Sequence, residues 1–138
     1  WIFSHTGINA VNIDMANEAR KRGMKVIVYG SAANTGDKPG RHSSGKNLFQ
    51  CADIVVDSCV PLQDASVTTK DQFDKIGPLS TLGFVSLVWM TVCTVVEILE
   101  ERGVKLYINP SHNVPGDTTA QERLDAAIAE YQKRLHVI

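Results

Sequence analysis

The segment Ser4-His5-Thr6-Gly7-Ile8-Asn9 sets two hydroxyls, an imidazole, a glycine and a carboxamide where a short apolar run, Trp1-Ile2-Phe3, gives way to helical spacing. A phosphate is held by donors converging on one point, and a helix amino terminus offers free backbone N–H groups in a favourable dipole. Hydroxyls at Ser4 and Thr6 add donors, and Gly7 removes the side chain that would block close approach. Such a turn holds a dianion without a lysine. The ordinary alternative is that Thr6 or Asn9 caps the helix and Gly7 only makes the turn. A second cluster, Pro78-Leu79-Ser80-Thr81, puts two more hydroxyls at the start of another helix. Two such beginnings point to a polyhydroxylated anion, with Ser4, Thr6, Gly7, Asn9, Ser80 and Thr81 as the residues that bind it.

Other reactive side chains point less clearly. Arg41 and Lys46 flank a serine-containing loop, and an arginine fork suits phosphate, although a solvated loop charge is the more ordinary outcome. His5 and His42 contact an anion when protonated or else face water. Glu97, the first carboxylate after a long uncharged stretch, reads as exposed and outside the site. The four histidines have no metal-ligand spacing, so no metal is expected. Neither G-x-G-x-x-G nor G-K-[ST] occurs, which ranks a nucleotide-binding domain low and leaves no cofactor expected. A formal charge of -1 offers no broad basic field for nucleic acid. Cys51, Cys59 and Cys93 make neither a C-x-x-C pair nor an even-numbered disulfide framework, which fits a reducing cytoplasm.

The elements that must position these residues follow from periodicity. Trp1 to Phe3 reads as a buried strand, and Val11, Met15 and Ala19 recur at helical spacing up to Arg20-Lys21-Arg22, with Gly23 as the stop. Lys25 to Tyr29 is a β-branched run of the kind a parallel sheet covered on both faces requires. Residues 31–40 read as loop, Ser44 to Ala52 as a short helix, and Ile54-Val55-Val56 as a third strand. A further short strand is expected near Ala65 to Thr68. From Ile76 to Val96 no residue is charged, so a membrane span must be weighed. Interspersed Ser and Thr, Gly77-Pro78 at its start and the lack of an aromatic belt argue instead for a helix buried all round, in a core or a subunit interface. Asp117 or Thr118 caps a last helix whose stripe is Leu124, Ala127, Ile128, Tyr131 and Leu135. The alternation of strands and helices predicts right-handed βαβ units in one domain. The apolar start, without initiator Met or leader, suggests that further sequence precedes Trp1.

Over most of its length the chain resembles the sugar isomerase (SIS) domain family. Ser4 to Asn9 is similar to that family's serine-rich phosphate loop, Ser43 to Asp57 to its short helix and following strand, and Gly77 to Val104 to its long buried helix. The resemblance is nearest to uncharacterised single-SIS-domain proteins, with Arg41-His42-Ser43-Ser44-Gly45-Lys46 as the most distinctive string. It is more distant to arabinose 5-phosphate isomerase-type members. It implies an α/β fold, a three-layer α/β/α sandwich with a flavodoxin-like parallel sheet of five strands. Three are evident here, so the amino-terminal part is expected to be missing from a single, incomplete domain spanning 1–138. Trp1 to Phe3 and the long helix are then expected to expose apolar surface unless another segment or subunit covers them.

The same resemblance implies a sugar phosphate as ligand and adds Ser43 and Ser44 to the binding residues. Asp64, followed by Ala65, resembles in position a catalytic carboxylate of those isomerases, where a glutamate stands. The aspartate is a methylene shorter. His112, before Val114-Pro115-Gly116, stands roughly where they carry a histidine; a solvated loop histidine is an equally good reading. The expected activity is binding of a phosphorylated sugar or amino sugar, with aldose–ketose isomerisation through Asp64 and His112 as acid/base pair, or else a non-catalytic sensor or regulatory module. A cytoplasmic homodimer or homotetramer, with no membrane partner, is expected.

Overall fold

The structure is a computed structural model and describes residues 1–135. These divide into two compact units, one of residues 1–91 and one beginning at residue 92.

The first unit is built on a three-stranded parallel sheet of β1 (Ile2–Ser4), β2 (Ile27–Gly30) and β3 (Ile54–Asp57), in that order. Ile2 pairs with Val28 and Val28 with Val55, while Phe3 pairs with Tyr29 and Tyr29 with Val56. Side chains alternate across a strand, so the two rows face opposite sides. On one side Ile2 and Val28 pack with Val26, Leu48, Cys51 and with Ile13 and Ala16 of α1 (Ala10–Lys21). Ile13 and Val28 are fully buried, and each contributes about 1.5–3 kcal/mol of transfer free energy. On the other side Phe3 stacks on Tyr29 at 4.9 Å and meets Phe84 at 5.9 Å, and the Tyr29 hydroxyl donates to Thr91 Oγ1 at 3.1 Å. Phe84 and Thr91 belong to α3 (Leu79–Glu101). Helices thus cover both faces, and the α/β reading with a parallel sheet holds. α1 ends where its basic turn and Gly23, at φ +76°, stop it.

Three local expectations differ. Residues 31–40 hold one helical turn, α2 (Ala32–Thr35), because Ser31 Oγ caps the Asn34 amide at 3.3 Å. The helix expected from Ser44 to Ala52 shrinks to a 3₁₀ turn, Phe49–Cys51. Side chains there take the backbone groups a helix would use: Ser44 Oγ accepts from the Lys46 amide, and Asn47 and Gln50 exchange side-chain-to-amide bonds at 2.9 and 3.2 Å. The strand near Ala65 is present as β4 (Ala65–Val67), but its antiparallel partner β5 (Ile76–Pro78) was concealed by the apolar run that continues into α3.

The larger correction concerns α3. Ser80 is its one buried residue among those described, and Leu82, Val85, Trp89 and Met90 are each more than half exposed. By length and composition α3 is apolar enough to cross a membrane. It touches the sheet by one face through Phe84 and Thr91, so a largely apolar helix is left with most of its circumference uncovered. Trp1 and Phe3, read from the sequence as part of a buried strand, are exposed to 52% and 42%.

In the second unit, α3 ends at Glu101, shortly before Gly103 at φ +69°, and α4 (Ala120–Leu135) follows a loop. Asp117 accepts from the Thr119 amide at 2.9 Å and pairs with Arg123, which holds its carboxyl far below the usual range. Of the expected stripe, Ala127 is buried and Leu124 partly so, whereas Ile128, Tyr131 and Leu135 are exposed.

Candidate functional site

The turn after β1 is shaped by its own residues. Ser4 is buried, and its Oγ accepts the Gly7 amide at 3.2 Å, so its hydroxyl hydrogen is left to be donated elsewhere. Gly7 stands at φ +63°, and a Cβ there would lie 2.7 Å from Thr35 Oγ1 and Cγ2. Both the conformation and the contact require glycine. Asn9 precedes α1 in extended conformation, is exposed, and makes no side-chain capping bond. The first amides of a twelve-residue helix therefore remain without a side-chain acceptor, and the capping alternative for Asn9 does not describe this terminus. Thr6 is partly exposed beside it.

The loop from 40 to 48 closes over the turn through backbone bonds, Arg41 N–H to Ile8 O at 2.7 Å and Leu48 N–H to Gly7 O at 2.8 Å. Ser43 is exposed. Ser44 Oγ lies 2.8 Å from His42 Nδ1, and His42 Nε2 lies 3.0 Å from Asp14 of α1. Arg41 and Lys46 are exposed, and no side-chain hydrogen bond of either is found among the described residues.

The other helix beginning is built differently. Asp64, at φ +60°, accepts the Leu79 and Ser80 amides on Oδ1 at 3.1 and 2.7 Å and the Ser80 hydroxyl on Oδ2 at 2.9 Å. Burial pushes its carboxyl up, but the Ser80 and Leu79 bonds and the charge of nearby His5 outweigh that and hold it below the usual carboxylate range. A carboxylate already sits where an anion would bind at α3. Thr81 is exposed and lines an apolar hollow of about 330 Å³ with Phe3, Phe84, Val85, Val88 and Trp89. His112 is exposed in the second unit.

The carboxyl ends of the strands hold groups that sequence patterns did not single out. Ser31 Oγ donates to Val60 O at 2.6 Å, and Asn34 Nδ2 donates to Val60 O and Pro61 O, fixing the loop after β3. Asp57 Oδ1 accepts the Ala32 amide at 3.0 Å. Among the described residues no group of histidine, cysteine and carboxylate side chains is placed to hold a metal ion.

A parallel sheet with helices on both faces and an uncapped helix behind a hydroxyl-bearing turn define a class, and comparison with known proteins agrees: residues 1–31, which run from β1 through this turn and α1 to Ser31, match the SIS domain. This match, together with the relatives named UPF0309 proteins, supports placing the chain with the SIS domain family. Among curated relatives it is similar to a UPF0309 protein of Shouchella clausii, 33% identical over 136 residues that make up 99% of this chain and 54% of the relative. A UPF0309 protein of Oceanobacillus iheyensis is 34% identical with the same coverage. The UPF0309 protein in the nagA 3' region of Lysinibacillus sphaericus is 38% identical over 124 residues, 90% of this chain and 50% of the relative. The chain spans about half the length of the relatives it matches.

Proposed function

We propose that this chain binds a phosphorylated sugar or amino sugar, with the phosphate at the amino terminus of α1 among Ser4, Thr6, Gly7 and Asn9. One observation carries the reading: α1 begins without a side-chain cap, behind a turn whose glycine is sterically required and whose serine keeps a hydroxyl hydrogen to give. Hydrogen bonds to a charged partner are each worth about 1.5–3 kcal/mol. Calorimetric titration with glucose 6-phosphate is therefore expected to show Ser4→Ala/Thr6→Ala binding weaker by a factor of ten or more. Unchanged affinity in that double variant would sink the proposal. Ser43, exposed on the overlying loop, and Thr81 remain secondary contacts.

Binding without isomerisation is the reading that Asp64 favours. A general base needs a free lone pair and a pKa near the working pH. Asp64 instead gives three of its about four acceptor positions to the start of α3 and is held low. Asp64 and Ser80 are thus read as anchors of α3, and a sensor or regulatory role fits better than an aldose–ketose isomerase using Asp64 with His112. Exchange of a carbon-bound proton of hexose or pentose phosphates in deuterated water, followed by NMR, is expected to be absent; exchange abolished by Asp64→Asn would restore the isomerase.

The uncovered face of α3 supports self-association into a dimer or tetramer, since a contiguous apolar surface of this kind is what subunit interfaces cover.

A further inference from the structure

Among the described residues, buried side-chain nitrogen or oxygen atoms without a hydrogen-bond partner occur on His5, at both ring nitrogens, and on Thr35, Ser58 and Thr69. Thr69 lies between β4 and β5. The other three gather at the carboxyl edge of the parallel sheet. His5 follows β1, and its carbonyl accepts the Ser31 amide at 3.4 Å. Ser58 follows β3, and its amide donates to Gly30 O at 2.7 Å. Thr35 lies one helical turn after Ser31, is wholly buried, and presents Oγ1 2.7 Å from where a Gly7 Cβ would stand. His5 is also near enough to Asp64 for its charge to act on that carboxyl.

Buried polar groups in native proteins are almost always paired, because leaving one unpaired forfeits its hydration. Three exceptions at one sheet edge, beside an uncapped helix terminus, are what a polar ligand would complete, and ligands of open parallel sheets sit at that edge. Building on the phosphosugar reading above, we propose that Thr35, Ser58 and His5 are ligand-contacting residues. The Thr35 hydroxyl joins the phosphate turn through its position against Gly7. Ser58 and His5, on the neighbouring strand ends, receive the hydroxyls of the sugar.

Titration calorimetry with inorganic phosphate and with glucose 6-phosphate separates these roles. Thr35→Val is expected to weaken both ligands by about tenfold, and Ser58→Ala and His5→Leu to weaken glucose 6-phosphate about tenfold while leaving phosphate unchanged. Thr35→Ser, which keeps the hydroxyl, is expected to retain affinity and controls for packing. In the ligand-free protein, the thermal midpoints of Thr35→Val and Ser58→Ala are expected to stay level or rise, since each removes an unpaired buried hydroxyl. If wild type binds glucose 6-phosphate while all three variants bind it equally well, this inference fails and the phosphosugar reading stands. If Thr35→Val loses stability but not affinity, its hydroxyl is structural and the inference fails there too. Wild type that binds neither probe overturns both.

Discussion

Two aspartate and glycine positions show how single residues set this structure. Asp64 occupies a left-handed backbone conformation that aspartate and asparagine tolerate better than most residues, and from there it satisfies the first turn of α3. Asp64→Ala is expected to destabilise the first unit by about 1–2 kcal/mol in urea unfolding, and Asp64→Asn by less, because asparagine keeps one acceptor. The folded-state pKa of Asp64 is depressed, so its contribution is fully present above the ordinary carboxylate range near pH 4 and is lost as pH falls through the lower folded value. Stability of the wild type is thus expected to drop on acidification below about pH 4, and that of Asp64→Asn to drop less steeply. Gly7→Ala adds a Cβ against Thr35 in a left-handed conformation and is expected to cost at least about 1–2 kcal/mol. The turn of Ser4, Thr6, Gly7 and Asn9 was legible as local structure because strand, turn and helix are contiguous there. Thr35 and Ser58 were not, because only the register of β1, β2 and β3 brings residues so far apart in sequence to one edge. Asp64 drew attention as a base, and its bonds to Ser80, sixteen positions away, which cap α3, could not be read from spacing.

At the scale of elements, the parallel strands and α1 followed from β-branched runs and a basic, glycine-stopped helix end. Failures came where side chains compete with the backbone, as in the loop of Asn47 and Gln50, or where hydrophobicity says apolar without saying what covers it. α3 is the main instance. Its composition predicts burial, yet the described chain supplies one covering face, through Phe84 and Thr91. Trp89→Glu, on an exposed stretch, is expected to leave the unfolding midpoint nearly unchanged while shifting sedimentation equilibrium toward monomer. A variant whose mass distribution matches wild type would show that Trp89 takes no part in association.

For the molecule as a whole, the fold was readable: β1, the turn and α1 fall within the SIS match of residues 1–31, and β2 and β3 follow as β-branched runs. The second unit was less readable, because its loop from 104 to 119 has no periodicity to read. The most direct test is an amide NMR titration with glucose 6-phosphate. The account predicts the largest shifts at Thr6, Gly7, Ile8, Asn9 and Ala10, with smaller ones at Thr35 and Ser58. Saturable shifts confined to residues beyond 91, or none at millimolar ligand, would contradict it.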